Sequence, residues 1–421
     1  MQRPCCLLDR FGGRRMLTGL ILTLAPIGVA PAPAQILLHP SGSSHAANIF
    51  NTDLAVLELG EQRKELPCNV TPSKPALGFD LKFHAGYQVT VPLKELSGDQ
   101  NSLNIVFRVS LQDHRDEPVY FTQHLRVPPI AEDAKGDAYL QGAFDVGEGS
   151  YHIDWLMRDR TERVCSSNWE SEASLSAKDR PMSLSIAPGV VWRSDGEEFK
   201  DEPPVERASK EPPLNVKVLV NFAPQNSLSP ALQPLDTTAL VSILRTLARD
   251  PRIGKFSIVA FNMQEQKVIY RQDGANRIDF PALGSALTTL NLGTVDLKRL
   301  GDKHGDTDFL TGLVRKEMAP QPQDHPDALV FAGPKILLDA NPSEEALKDA
   351  GEIDFPVFYM NYNLNPQAVP WKDAISHTVH FFRGSEYTIS RPRDLWFAVS
   401  EMVSKIVKSR NGRPTASISG Q

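Results

Sequence analysis

The chain has 421 residues, of which 41% are hydrophobic and 23% are charged, and its net charge at pH 7 is -6. This length suits two or three domains that each bury a core, and we expect two. The composition excludes wholesale disorder and a membrane-embedded bundle. A mildly acidic chain without a concentrated basic run also lacks the positive surface that a nucleic acid partner requires.

The N-terminus has the three parts of an export signal. Arg14 and Arg15 precede the apolar run "MLTGLILTLAPIGVA", which leads to Ala32-Pro33-Ala34 before Gln35. The run is short and interrupted by proline, and the small residues suit a signal peptidase. We therefore predict a signal peptide over residues 1–34, export to the periplasm or beyond the cell, and no membrane span after cleavage. An uncleaved anchor is the alternative.

Export changes the interpretation of the four cysteines. Cys5 and Cys6 fall within the predicted signal peptide, so Cys68 and Cys165 are the pair that the mature chain keeps. In an oxidising compartment two cysteines can form one disulfide, and we predict a structural Cys68–Cys165 bridge. A catalytic thiol would need a histidine nearby in space.

Residues 194–213, "SDGEEFKDEPPVERASKEPP", combine charge with proline and offer little to bury. Proline removes backbone donors and disfavours helix, and this composition predicts an exposed linker between two separate folding units. The predicted units cover residues 48–191 and 214–409, with a disordered tail over 410–421.

The first unit reads as a series of short strands. Runs rich in Val, Ile, Phe and Tyr are separated by turns such as Ser97-Gly98-Asp99 and Gly147-Glu148-Gly149; they are "YQVTVPL", "SLNIVFRVSL", "PVYFTQHLRV", "GSYHIDWLMRD" and "MSLSIA". This pattern predicts a β-sandwich. The stretch "GEGSYHIDW" before Cys165 is similar to a late strand of immunoglobulin-like domains, so we expect that arrangement. Another antiparallel arrangement is the alternative.

The second unit alternates strands with helices. A buried strand "LNVKVLVNF" is followed by a helix capped by Asp236, the strands "KFSIVAFN" and "KVIYRQ", and helices around 280–290 and 308–317. The strand "DALVFAG", the helix "SEEALKDAG", the strands "FPVFYMNYN" and "HTVHFF", and a closing helix after Ser390 complete the unit. This alternation predicts a doubly wound α/β fold with a mainly parallel sheet.

This element order, including a hairpin that puts one antiparallel edge on the sheet, resembles the von Willebrand factor type A domain. The stretch "GDTDFLTGL", Gly305 to Leu313, is similar to the family's second metal-site loop where it opens a helix. The resemblance covers residues 214–409 and is greatest to the branch found in secreted proteins of soil bacteria such as acidobacteria.

The resemblance implies a divalent-metal site at the carboxyl end of the first strand, but this sequence lacks most of the ligands. The family's Asp falls on Asn221, its two Ser on Ala223 and Gln225, its Thr on Thr307, and its third-loop Asp on Ala332. A hard cation needs several oxygen ligands, commonly with carboxylate charge. We therefore predict no metal ion and no cofactor, with Asp306 or Asp308 as the only carboxylates that could substitute.

The same loops could still form a neutral, hydrogen-bonding rim for a ligand, because open α/β sheets bind ligands at their carboxyl edge. The candidate residues lie in the first and second loops: Asn221, Gln225, Asn226, Thr307 and Asp308. Alternatively, these side chains cap helices and satisfy loop backbone groups.

Enzyme signatures are not found in the sequence. It contains no Gly-x-Ser-x-Gly, His-Glu-x-x-His or Gly-x-Gly-x-x-Gly motif. On a strand, His377 and His380 would face opposite sides, which disfavours a shared metal. The turn around His325 and the helix entry around Arg391 and Arg393 are more typical of exposed surface than of a catalytic or anion site.

Two hypotheses follow from the sequence. The first is an exported, non-catalytic module of the protein-binding or adhesion type that recognises a protein or an envelope component without metal. The second is a secreted hydrolase whose active site is assembled across loops and has no local motif.

Overall fold

The computed structural model describes residues 36–38, 50–98, 101–194, 199–206, 212–225, 229, 232–290, 304–319, 325–351 and 353–412. Residues 34–421 form one compact unit. The predicted signal peptide and most of the predicted tail lie outside the described residues. None of the helices in the described ranges combines the length and the apolar character needed to cross a bilayer.

Two antiparallel sheets fill the first half. The five-stranded sheet has the order β1-β5-β4-β7-β8, and the four-stranded sheet has the order β2-β3-β6-β9. The strands are β1 (Ile36–Leu38), β2 (Asn69–Leu77), β3 (Phe83–Pro92), β4 (Ser102–Leu111), β5 (His114–Arg126), β6 (Asp137–Val146), β7 (Gly149–Asp159), β8 (Val164–Ala173) and β9 (Val191–Arg193). A short 3-10 helix covers Leu93–Leu96, and helix α1 covers Asn51–Leu59.

The strands of the first half alternate between core and surface. In β3, residues such as Phe83, Tyr87 and Val89 are buried in the core that the two sheets share, while their neighbours lie on the other side. Trp155 and Phe107 contribute large rings to the same core. Helix α1 covers a separate apolar patch of the five-stranded sheet through Val56 and Leu57.

The second half contains a six-stranded sheet with the order β12-β11-β10-β13-β14-β15. Its strands are β10 (Leu214–Asn221), β11 (Ile253–Asn262), β12 (Lys267–Ala275), β13 (Ala328–Pro334), β14 (Val357–Tyr362) and β15 (Ser385–Ile389). The sheet is mixed, because β12 runs antiparallel to β11 while the other neighbouring pairs are parallel.

Helices pack on the six-stranded sheet through two apolar cores. They are α2 (Pro234–Ala248), α3 (Phe280–Leu287), α4 (Gly305–Met318), α5 (Glu344–Lys348), α6 (Ala374–Phe381) and α7 (Pro392–Asn411). The apolar stripe of α7, which includes Leu395, Val399 and Met402, is buried.

The fold class predicted from the sequence is wrong. The described chain is mostly β, with two antiparallel sheets and one mixed six-stranded sheet, and its helices are fewer than its strands. An immunoglobulin-like sandwich joined to a doubly wound, mainly parallel type A-like domain does not describe it. The error arose because periodicity along a chain identifies strands but does not determine how they pair.

Local errors contributed to this outcome. The sequence "HTVHFF" is not a strand but helix α6, because the Asp373 side chain caps it by accepting a bond from the Ser376 backbone. The run "MSLSIA" forms no strand. Strands β2, β6 and β8 were missed because one face of each is polar or exposed, and β2 also contains two prolines.

The segment 199–206, part of the predicted linker, is packed rather than extended into solvent. Phe199 lies against the core beneath α2, α3 and α7. Glu202 forms ion pairs with Arg245 and Arg249 at 2.9 and 2.8 Å. The expectation that this stretch is too polar to pack is therefore wrong for these residues, and the division into two domains stays a prediction.

Candidate functional site

A cleft of about 1220 Å³ opens where the first half of the chain meets the second. One wall comes from the loop before β3 and the end of β6, the other from helices α2 and α7, and the segment 199–206 closes one side. The lining includes Asp80, Leu81, Lys82, His84, Asp145, Ser185, Trp192, Lys200–Val205, Leu235, Arg245, Arg249, Arg252, Trp396 and Val399.

His84 is the centre of a charge cluster on the first wall. Its Nδ1 lies 2.8 Å from an Asp145 oxygen, and its Nε2 lies 3.0 Å from an Asp80 oxygen. Lys82 Nζ lies 3.6 Å from Asp145 and 3.8 Å from Asp80. Two carboxylates thus face two cationic groups, so the cluster is balanced in charge when His84 is protonated.

The surroundings stabilise the protonated form of this histidine. The hydrogen bond to Asp145, followed by the bond to Asp80, raises the pKa of His84 to about 10 despite partial burial. Burial acts to raise the pKa of Asp80, but the hydrogen bond and charge of His84 and the charge of Lys82 outweigh it, so this pKa is lowered. We therefore assign His84 as an imidazolium at neutral pH.

The local sequence explains how the cluster forms. Asp80, Lys82 and His84 alternate with Leu81 and Phe83, which are buried. Residues 78–82 form the turn that leads into β3, in which Leu81 has a left-handed φ of 60° and the Lys82 backbone donates to Asp80 Oδ1 at 3.4 Å. A Cβ at position 78 would lie 2.3 Å from His84 Nε2 and 2.6 Å from Asp80 Oδ1, so a larger residue there would displace the pair. A search for short motifs could not detect the cluster, because it depends on this turn and on Asp145, which the pairing of β3 with β6 brings beside His84.

Ser185 joins this wall to helix α2. Its hydroxyl donates to the Asp80 carbonyl at 2.7 Å and accepts from Arg249 at 3.1 Å. Arg249 and Arg245, one helical turn apart, both pair with Glu202. The Arg245 guanidinium also lies 5.4 Å from the centre of the Phe280 ring. A continuous chain of polar contacts therefore crosses the cleft.

Asp80, His84 and Asp145 are the one group of three ligand side chains, among the described residues, close enough together to hold a metal ion. Their arrangement suits a proton better than a metal. The two carboxylates face different nitrogens of one ring, and Lys82 lies within 4 Å of both. A cation would have to displace a tightly held proton and tolerate the ammonium group beside it.

The rim of the cleft presents apolar surface. Trp192 and Leu235 are each 50% exposed, and Pro203, Pro204 and Trp396 lie nearby in the lining. Large apolar side chains left half exposed at the mouth of a cleft are typical of a surface that binds a partner.

The residues predicted from the sequence as a ligand rim have local partners instead. Asn221 is fully buried, and its Oδ1 accepts from the Met263 backbone at 3.1 Å. Gln225 donates to Asn363 Oδ1 at 3.4 Å. Thr307 donates to the Ala340 carbonyl at 2.8 Å. These bonds match the alternative that we raised, in which the side chains satisfy loops.

The other two residues predicted for the rim are Asp308 and Asn226. Asp308 lies in the first turn of α4, where its negative charge suits the helix N-terminus. Asn226 lies outside the described residues. No hydrogen bond joins the side chains of Asn221, Gln225 and Thr307 in the described part of the chain, and the rim stays a prediction.

The other histidines and arginines that the sequence singled out lie on a helix or pair with carboxylates. His377 and His380 lie three apart on helix α6 rather than on a strand. The His325 ring is exposed and lies 3.0 Å from Asp354. Arg391 pairs with Asp394 at the start of α7, and Arg393 pairs with Asp179.

The sulfurs of Cys68 and Cys165 form the predicted disulfide, which is therefore confirmed. Cys68 immediately precedes β2 in one antiparallel sheet and Cys165 lies in β8 of the other, so the bridge ties the two sheets together. A disulfide of this kind fits a protein of an oxidising compartment outside the cytosol.

No family model and no curated protein matches the chain. Among solved structures, it is similar to the D319A mutant of the PilB minor pilin from Streptococcus sanguinis, with 10% identity over 77% of this chain and 93% of the pilin and a TM-score of 0.28.

It is also similar to Bacteroides uniformis beta-glucuronidase 2, with 10% identity over 72% of this chain, 34% of that chain and a TM-score of 0.17. A glycosyl hydrolase family 2 member from Bacteroides cellulosilyticus gives 9% identity over 76% of this chain, 38% of that chain and a TM-score of 0.18. The chain thus spans little more than a third of either hydrolase. Similarity at this level carries no functional inference.

Proposed function

We propose that this chain is an exported, non-catalytic binding protein that holds part of another protein or of an envelope component in the cleft. The observation that supports this proposal most is the mouth of the cleft, where the Trp192 and Leu235 side chains are half exposed. The walls below them are lined by charged side chains. Export is supported by the disulfide and by the N-terminal sequence.

The state of His84 supports a binding role over hydrolysis. When protonated, the ring directs both N–H groups at carboxylates and has no lone pair with which to accept a proton. Asp145 is almost fully buried behind it. A general base needs an accessible lone pair, and a nucleophile needs such a base beside it.

Site-specific cross-linking tests the proposal. A photoreactive amino acid replaces Leu235 at the mouth of the cleft, and in a second protein it replaces Leu337, a 78% exposed leucine on the loop after β13. We expect a defined adduct with one envelope component from position 235 and none from position 337. Equal adducts from both positions, or none from position 235, would contradict the proposal.

A hydrolase screen tests the competing hypothesis. The purified mature protein is assayed against ester, peptide and glycoside substrates, beside its His84→Gln and Asp80→Asn variants. We expect no turnover above buffer for any of the three proteins. Turnover that both substitutions abolish would show that the cleft is an active site.

A further inference from the structure

The outer face of the four-stranded sheet presents three rows of side chains. The register of β2, β3 and β6 aligns Asn69, Thr90 and Tyr139 in one row, Thr71, Gln88 and Gln141 in the next, and Ser73, Gly86 and Ala143 in the third. The intervening residues, such as Val89 and Leu140, contribute to the core. Because side chains alternate along a strand, these rows lie on the opposite side.

An exposed aromatic side chain lies at each end of this face. Tyr139 is 65% exposed in the first row. The fourth row aligns His84, Asp145 and Trp192, and Trp192 is half exposed where this face meets the cleft. Six residues of β6 separate the two end rows, a distance of about 20 Å at about 3.3 Å per residue.

The surface between these rings is uncharged and rich in hydrogen-bonding groups. None of the nine residues in the three rows is Asp, Glu, Lys, Arg or His. Gln88 and Gln141 lie side by side, and neither side chain has a hydrogen-bond partner within the described residues. Each amide offers two donors and an acceptor. The third row is made of the small residues Ser73, Gly86 and Ala143, of which Gly86 is buried.

We propose that this face binds an extended, uncharged polysaccharide, laid along β3 and β6 from Tyr139 toward Trp192. The C–H face of a sugar ring is apolar and can stack on an exposed aromatic ring, while its hydroxyls pair with neutral amides and hydroxyls. A charged ligand finds no opposite charge in the three rows. A peptide that adds to a sheet pairs with backbone at an edge, whereas this face offers side chains.

The proposal rests on the three rows and Tyr139, and it shares Trp192 with the mouth of the cleft. Its test measures depletion of the mature protein from solution by insoluble cellulose, chitin, xylan and curdlan. The variants are Tyr139→Ala, Tyr139→Phe and the double substitution of Gln88 and Gln141 by alanine. Trp371→Ala is the control, because this tryptophan is also about half exposed but lies on the loop after β14.

We expect the wild type to bind at least one of the four polysaccharides. Tyr139→Ala and the double variant should weaken that binding by about tenfold or more, equivalent to about 1.4 kcal/mol. Tyr139→Phe keeps the ring and should bind within about twofold of the wild type, as should Trp371→Ala.

Three results would overturn the proposal: no depletion by any of the four polysaccharides, binding that Tyr139→Ala leaves unchanged, or an equal loss in Trp371→Ala. The substituted side chains are on the surface, so circular dichroism should show every variant folded.

Discussion

At the scale of single residues, His84 makes stability depend on pH. Its pKa is about 10 in the folded chain, above the ordinary value of 6.5. A raised pKa means that the protonated ring stabilises the folded state below pH 6.5, and that this contribution is lost as the pH rises toward 10. The side chain is 39% exposed, so solvent screening reduces the effect to about 1–2 kcal/mol.

We therefore expect His84→Gln to lower the free energy of unfolding by about this amount at pH 6 and by much less at pH 10. Urea unfolding of both proteins across this range measures the difference. His124→Gln is the control, because that exposed ring bonds to Asn104 rather than to a carboxylate. A difference between wild type and His84→Gln that does not change with pH would disprove the assignment of an imidazolium.

Glu317 is a second residue on which stability depends. Its carboxylate is fully buried, lies 3.6 Å from the buried Lys217 ammonium and bonds to Arg271 through two nitrogens. Removing one member of a buried ion pair leaves an uncompensated charge, which costs about 3–5 kcal/mol.

We expect Glu317→Gln to lose at least about 3 kcal/mol in urea unfolding. Glu401→Gln is the matched control, since Glu401 pairs with Lys405 at 2.8 Å on the exposed side of α7. Exposed pairs contribute at most about 1 kcal/mol, so this control should remain near the wild type. Equal losses in the two variants would contradict the role assigned to the buried pair.

At the scale of elements, the disulfide connects sheets rather than adjacent strands. Cys68 and Cys165 are 97 residues apart in sequence, and their Cα atoms are 6.3 Å apart. Closing a loop of that length stabilises the folded chain by about 4–5 kcal/mol in the chain-entropy model.

Replacing both cysteines by alanine should lower the free energy of unfolding by about this amount. Chemical denaturation of the oxidised wild type and the double variant, with thiol titration of each, measures the effect. Two reactive thiols in the unreduced wild type would refute the bridge.

A long apolar stripe with a helical period could be predicted from sequence, whereas a strand interrupted by glycine and a short helix set by its cap could not. The helix that ends the chain was recognised because its stripe, including Val399 and Met402, has a period that only a helix satisfies. Strand β6 was missed because Tyr139 and Gln141 face outward and Gly142 interrupts the pattern. Part of helix α6 was predicted to be a strand because its Val, Thr and Phe residues favour strands. The cap at Asp373, which starts the helix, was not recognised in the sequence.

The cleft could not be predicted from local sequence, because its residues come together only through tertiary packing. Asp80 lies in the loop before β3 and Asp145 in β6, whereas Arg249 follows helix α2 of the second half. The resemblance used at the sequence level drew attention to the edge near Asn221 instead. There, side chains satisfy backbone groups.

At the scale of the whole molecule, a side chain of the first half is buried in a core of the second half. Phe79, from the loop before β3, is buried in the core beneath the six-stranded sheet, with its ring edge-on to Tyr362 at 6.0 Å. Phe199 packs against the same core, and Glu202 pairs with Arg245 of α2 and with Arg249, the residue that follows the helix. Contacts of this kind couple the unfolding of one half to that of the other.

We therefore expect one calorimetric transition for the wild type. The near-ultraviolet circular dichroism and the fluorescence should change at the same temperature. Phe79→Ala removes a ring that joins the halves and should lower the free energy of unfolding by about 3 kcal/mol. Because the coupling between the halves is then weaker, the single transition should divide into two. Phe144→Ala, within the first core, controls for the loss of a buried ring that touches one half only. Two transitions in the wild type would mean that the contacts made by Phe79 and Glu202 do not couple the unfolding of the two halves. The halves would then be independent units, and a cleft between them could open without unfolding either one.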